Sequence, residues 1–224
     1  MTLKLFYDLL SQPSRTLYIF LKINNIPFEA VPVALRKGEH LTEEFKEKYS
    51  KFGKVPFIHD GNFRLSESVA IIRYLAETRK IADHWYPRDI KERAKVDEYL
   101  EWQHLNTRAN CALYFLRTVV EPMMTGAPPT ESRVKRLKKN MENSLKDMET
   151  LWLANDKKYI TGDKISVADI FAATEIEQTR MAGYDPRAKY PILEKWLERV
   201  KKETDPFYTE SHVFVDKLAA KSKL

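Results

Sequence analysis

The spacing of apolar residues changes along the chain, from short runs and alternation near the start to long helical periodicity later. Leu3-Lys4-Leu5-Phe6-Tyr7 reads as a buried strand, followed by a turn that contains Pro13. From about Ser14 the positions Leu17, Phe20 and Leu21 share one helical face, and this helix stops at Asn24-Asn25 ahead of Pro27. Val31 and Val33 stand at period two within Phe28 to Leu35 and predict a second strand, which a right-handed crossover makes parallel to the first. A helix is expected around Thr42 to Tyr49. Val55-Pro56-Phe57-Ile58 and Phe63-Arg64-Leu65 flank Asp60-Gly61-Asn62, a short-range hairpin signal. The next helix, Glu67 to Glu77, turns Val69, Ile72 and Leu75-Ala76 inward.

The order β-α-β-α-β-β-α within residues 1–80 is that of a thioredoxin-like domain, and Pro56 at the head of the third strand suits a cis peptide. Residues 81–89 read as a linker that packs through its aromatics. Residues 90–224 then read as an all-α domain with helices over 90–120, 131–155, 166–181 and 189–203, and a weaker one near 208–220. Gly126-Ala127-Pro128-Pro129 separates the first two. Ser166-Val167-Ala168-Asp169 is a capping box, completed by an Ile165–Ile170 staple, and is a folding device rather than a catalytic one. On the helix from Ile90, helical spacing places Glu101, His104, Arg108, Cys111 and Phe115 on one face, the wall of a cleft. Trp102, Leu105, Ala109, Ala112 and Leu116 form the neighbouring apolar stripe, assigned to the core.

Composition narrows the chemistry. A chain of 224 residues has room for a buried core, in one large domain or two small ones. One cysteine, Cys111, excludes an internal disulfide, a thiolate metal cluster and Cys-x-x-Cys redox chemistry. No apolar run approaches the length of a membrane span, and Met1-Thr2-Leu3-Lys4 leads straight into patterned sequence without a signal peptide. A reducing, intracellular compartment is the expectation. The net charge of +6 is densest in Arg133-Val134-Lys135-Arg136-Leu137-Lys138-Lys139. There Glu131 and Glu142 flank the run, and Val134, Leu137 and Met141 fall at helical spacing, so a solvated helix face accounts for it. No nucleic-acid-binding signature accompanies it.

Three short stretches carry candidate chemistry. Ser11, in Asp8-Leu9-Leu10-Ser11-Gln12-Pro13-Ser14-Arg15, lies at the carboxyl end of the first strand and close to the positive end of the first helix. Its hydroxyl could hold a thiolate; equally, Ser11 or Ser14 could cap the helix. In Leu65-Ser66-Glu67-Ser68-Val69, Ser66 is a plausible N-cap. The amides and hydroxyl of Glu67 and Ser68 would then meet a carboxylate, while the Glu67 carboxylate would meet an ammonium, together recognising an α-amino acid moiety. By itself this is only a capped helix. If Pro56 is cis, Lys54-Val55-Pro56 leaves the Val55 backbone to pair with an extended peptide. His40, in a loop, is a cation for a second carboxylate or a solvated surface histidine. Together these describe a groove for a short peptide with a carboxylate at each end.

The Asp8–Arg15 stretch, Lys37-Gly38-Glu39-His40-Leu41, Lys54-Val55-Pro56, Ser66-Glu67-Ser68-Val69-Ala70-Ile71 and Val96-Asp97-Glu98-Tyr99-Leu100-Glu101-Trp102-Gln103-His104 resemble the theta class of cytosolic glutathione transferases. The resemblance runs essentially end to end, and Leu9-Leu10-Ser11-Gln12-Pro13 is its most specific part. It implies glutathione as co-substrate, bound in the thioredoxin-like domain, a small electrophile bound against the helical domain, no metal, and a homodimer. Carried over residue by residue, Ser11 activates the glutathione sulfur and Val55 pairs with the cysteinyl backbone. Glu67 and Ser68 hold the γ-glutamyl end, and His40 and Lys54 the glycyl end. Other classes use a tyrosine near the first strand, where Tyr7 stands; the theta-like motif favours Ser11. Arg108 matches a position that stabilises charge near the sulfur and leaving group, against the alternative of an exposed arginine paired with Glu101 or Asp97. His104, Cys111 and Phe115 would line the electrophile site.

The implied reaction is attack of glutathione thiolate on an alkyl or aralkyl halide, or reduction of an organic hydroperoxide. A non-catalytic ligand-binding or scaffold protein of the same fold is one alternative, and a glutathione-dependent dehalogenase or isomerase is another. The expected compartment is the cytoplasm. Ser222-Lys223-Leu224, at the terminus, also spells the address read by the peroxisomal import receptor.

Overall fold

The structure is a computed structural model, and it describes residues 2–221. Leu3, Leu5 and Phe6 are all buried, so β1 (Leu3–Tyr7) is covered on both faces, as its unbroken apolar run requires. α1 (Gln12–Ile23) carries Pro13 in its first turn, where a missing N–H leaves no bond unmade, and buries Leu17, Phe20 and Leu21. β2 (Phe28–Pro32) is shorter than the run to Leu35 predicts. It lies at a sheet edge, where proline is tolerated, and Val33 makes one further bond to the Tyr7 carbonyl at 2.8 Å. The chain then bends through two single 3₁₀ turns, Leu35–Lys37 and Glu39–Leu41.

α2 (Glu43–Lys48) is capped by Thr42, whose Oγ1 accepts from the Phe45 amide at 3.2 Å. β3 (Phe57–Asp60) and β4 (Phe63–Ser66) form the expected hairpin, and α3 (Ser68–Thr78) follows. The strand order is β2-β1-β3-β4, with β1 parallel to β2 and the other pairs antiparallel. Phe6, Val33, Phe45 and Phe57 form a core cluster beneath one end of this sheet, the Phe6 and Phe57 rings stacked 4.4 Å apart.

Two compact units divide the chain. One is the described part of Met1–Ala82 joined by Pro206–His212; the other is the described part of Asp83–Asp205 and Val213–Leu224. The second unit begins with α4 (Ile90–Trp102) and α5 (Thr107–Phe115), so the continuous helix expected over 90–120 is interrupted. At 103–106 the Asn106 side chain takes the Trp102 carbonyl at 2.8 Å and the Arg108 amide reaches back to the Gln103 carbonyl. Leu116–Val120 is a π-helical turn leading into α6 (Glu121–Thr125). The break resets the helical phase and breaks up the expected stripes, although Ala112 stays buried as assigned. Leu105 is 82% and Leu116 44% exposed, whereas Cys111 is fully buried.

α7 (Glu131–Asp147) carries the basic run on its exposed side and buries Met141 and Leu145. It ends in a second π-helical turn, Met148–Trp152. α8 (Val167–Glu177) is buried on every side. Its capping box forms as expected, the Asp169 carboxylate accepting from the Ser166 amide at 2.9 Å. The same carboxylate accepts from the Ile160 amide and the Trp196 indole, each at 2.9 Å. α9 (Pro191–Thr204), α10 (Phe207–Ser211) and α11 (Val213–Lys221) complete the chain, with α10 belonging to the first unit, on α1. Among the described residues no helix is long and apolar enough to cross a membrane. Ser222-Lys223-Leu224 lies outside the described residues.

Candidate active site

Strand register gathers the candidate residues of the first unit at one end of its sheet. Tyr7 ends β1, Pro32 lies opposite it in β2, and Phe57 starts β3 opposite Phe6 and Ser66. The segments that leave or enter at this end are therefore 8–11, 33–41, 53–56 and 67–68. All the glutathione-directed candidates lie on these four segments, and this is the carboxyl end of the parallel pair, where ligands collect in open α/β sheets.

Ser11 is the N-cap residue of α1, with extended φ −83° and ψ 126°. Its amide donates to the Asp8 carbonyl at 2.9 Å, and its side chain makes no capping hydrogen bond. Ser14 is fully buried within the helix, its Oγ facing the Asp8 amide at 3.5 Å. Neither hydroxyl caps α1, so that alternative falls away. The buried guanidinium of Arg15 donates to the Leu9 carbonyl at 2.9 Å and fixes the turn that presents Ser11. Tyr7 is engaged elsewhere: its ring stacks on Tyr18 of α1, and burial, with the Asp8 charge, pushes its phenol above the ordinary value.

His40 is the middle residue of the second 3₁₀ turn, partly exposed, with its Nδ1 buried and lacking a hydrogen-bond partner. Burial lowers its pKa against the opposing pull of Asp8 and Glu39. Lys54 is exposed beside it in the fold, because a Cβ built on Gly53 would stand 2.8 Å from the His40 carbonyl. Gly53 also has φ +55°, so this approach requires glycine on both counts. The Val55–Pro56 peptide is cis, as its position suggested, and Val55 precedes the ladder residues of β3.

The expectation for Ser66 needs correcting. It is the last residue of β4, paired with Phe57, and Glu67 is the N-cap of α3. Glu67 has φ +69° and ψ 110°, a sparsely populated conformation that costs a non-glycine residue of order 1–3 kcal/mol. The hairpin fixes Ser66 and the helix fixes Ser68, so the direction change falls on one residue and turns it outward. Glu67 is exposed and Ser68 half-buried at the first position of α3.

In the helical unit, Arg108 on α5 pairs with Glu175 of α8 at 2.7 Å, and neither Glu101 nor Asp97 is that partner. The Glu175 side chain has no exposed surface, whereas that of Arg108 is 36% exposed, leaving part of the guanidinium open. A fully buried carboxylate needs such a compensating cation. His104 is exposed within the helix break. Phe115 is nearly covered, and burial, then the Glu175 charge, push the Cys111 thiol far above its ordinary value. Three contributors escaped the sequence reading: Asp8, Gly53 and Glu175. Asp8 stands within the Asp8–Arg15 motif, where its turn chemistry was the available signal; Gly53 and Glu175 gave none, since their partners are remote in sequence.

Residues 1–77 match the family model of the glutathione S-transferase N-terminal domain, and residues 113–203 that of the C-terminal domain. Glutathione S-transferase theta-1 of Bos taurus is 41% identical over 213 residues, covering 95% of this chain and 88% of the relative. Glutathione S-transferase T1 of Arabidopsis thaliana is 37% identical, covering 97% and 91%. Human glutathione S-transferase T1-1 in its apo form superposes with a TM-score of 0.92 at 39% identity, over 97% of this chain and 91% of that one. Human glutathione transferase theta-2, solved with glutathione and an unknown ligand, gives 0.91 at 34% identity, over 99% and 90%. Identity at this level over nearly the whole length of both chains, with the same two domains in the same order, makes this chain a member of the glutathione S-transferase family, in its theta class.

Proposed function

We propose that the chain activates the thiol of glutathione and conjugates it to small electrophiles such as alkyl or aralkyl halides. The observation that carries this reading is the Ser11 hydroxyl, at the head of α1 yet unused as a cap. A thiolate accepting from it would also sit by the amide end of α1, and both effects lower a thiol pKa. Residues 1–80 form the glutathione domain in this reading, 81–89 the linker and 90–224 the electrophile domain. Val55, ahead of the ladder, pairs with the cysteinyl backbone. The strained Glu67, with Ser68, receives the γ-glutamyl end. Lys54 and His40 receive the glycyl carboxylate, and the incoming charge restores the proton that burial disfavours on His40.

Arg108, steadied by Glu175, stabilises negative charge that develops on the leaving group, with His104 on the exposed break and Cys111 and Phe115 packed behind that wall. The same thiolate would reduce organic hydroperoxides. The working form is a homodimer in the cytoplasm, and Ser222-Lys223-Leu224 directs a share of it to peroxisomes. A scaffold of this fold has no need of an uncapping serine or a strained Glu67, which favours the enzyme.

Ultraviolet titration of glutathione bound to wild type and to Ser11→Ala tests the mechanism. Wild type should lower the thiol pKa by about two units, and the alanine variant should return most of that shift and lose turnover by roughly 10²-fold. Identical titrations in the two proteins would sink it.

A further inference from the structure

We infer that Asp8 is a positioning residue whose carboxylate ties the Ser11 turn to the 33–41 loop, so that the sulfur end and the glycyl end of glutathione are set by one side chain. This rests on the reading of the site given above. Asp8 Oδ1 accepts from the Leu10 amide at 2.9 Å, and its carbonyl accepts from the Ser11 amide at 2.9 Å, closing the turn locally. Its other oxygen, Oδ2, accepts from the Leu35 amide at 3.2 Å, across 27 residues of sequence.

Leu35 opens the first 3₁₀ turn of the loop that carries His40. That loop has little core to hold it: Val33 is buried, but Arg36, Lys37, Glu39 and Leu41 are exposed. Its other anchors are Val33, whose amide donates to the Tyr7 carbonyl at 2.8 Å where the loop begins, Glu39, which accepts from the Ala34 amide at 2.8 Å, and Gly53, which packs under the His40 carbonyl. Asp8 adds a side-chain link from within the loop toward Ser11. Hydrogen bonds to an ionised acceptor are stronger than neutral ones, and displacement of a catalytic group by about an ångström costs on the order of 10²-fold in rate. A single carboxylate with two directed oxygens can therefore govern both ends of the ligand.

Asparagine separates the two oxygens. It forms the local Asx turn as readily as aspartate, keeping its carbonyl on the Leu10 amide, and presents an NH₂ to the Leu35 amide, where no bond forms. Alanine removes both links. The full-length protein, as Asp8→Asn and Asp8→Ala, is titrated calorimetrically with S-methylglutathione, which has both carboxylates but no ionisable thiol. Glutathione bound to each is then titrated by thiolate absorbance. Asp8→Asn should weaken S-methylglutathione at least about fivefold and leave the bound-thiol midpoint in place. Asp8→Ala should weaken it as much and also raise the midpoint by about one unit.

Asparagine moving one readout while alanine moves both supports the inference. Asparagine moving both or neither, or alanine moving fewer than two, overturns it, since a general loss of stability would move the readouts together. Should Asp8→Ala not fold, the asparagine result decides by the same rule. If wild type neither binds S-methylglutathione nor lowers the glutathione thiol, the underlying reading fails instead.

Discussion

Ser11 is legible as a candidate because its setting is local: a serine after a strand and before a helix has few roles, and although its backbone at φ −83° is that of an ordinary N-cap, its side chain makes no capping hydrogen bond. Gly53 illustrates the opposite. Nothing in Phe52-Gly53-Lys54 announces that a carbonyl 13 positions earlier will pack against it, yet an alanine Cβ would meet the His40 carbonyl at 2.8 Å. Gly53→Ala should therefore destabilise the protein by about 1–2 kcal/mol from φ alone, with further loss from the contact. Urea denaturation reads the first. Glutathione affinity reads the second, because relief of the contact displaces His40. Cys111, expected to line a cleft, is fully buried, and with its thiol held protonated by burial and the Glu175 charge it is no rival nucleophile.

At the scale of elements, the β-α-β-α-β-β-α order was readable because each strand and helix carries its own period and punctuation. The helix from Ile90 was not. A 3.6-residue pattern remains continuous on paper across Gln103–Asn106, but the break there shifts its phase, burying Cys111 and Phe115 and exposing Leu105 and Leu116. The capping box of α8 was readable as a cap, while its depth was not. Asp169 is fully buried and receives the Ser166 and Ile160 amides and the Trp196 indole. Asp169→Ala would leave several buried donors unmet at once, so unfolding free energy should fall by at least about 3 kcal/mol. A urea midpoint within error of wild type would refute this. Asp169→Asn, which retains one acceptor oxygen, should fall between the two.

The whole molecule adds a connection that no local pattern reports. After α9 the chain returns to the first unit, where α10 packs on α1 and the Tyr18 hydroxyl donates to Glu210 at 3.0 Å. Burial first, and then this bond, push the Tyr18 phenol up to about 12. The folded value lies above the ordinary one of about 10, so the contribution is complete below pH ~10 and fades as pH rises toward about 12. Wild type should lose stability across that window by calorimetry, and Tyr18→Phe should lose less. The charge of +6 acquires a modest sense at this scale. Its densest stretch lies exposed along α7, whereas the site's own cations are few and stand where topology puts them.

Local sequence was enough for the two-part architecture, the approximate bounds of most helices and strands, the α8 cap and the family to which the motifs point. These depend on neighbours within a few positions, where periodicity, turn residues and motif spacing act directly. Tertiary structure alone decided that Asp8 bonds Leu35, that Gly53 abuts His40, that Arg108 answers Glu175 and that α10 rejoins α1. Each of these joins residues far apart in the chain, and the partner of a polar group is set by which surfaces meet once the core has packed.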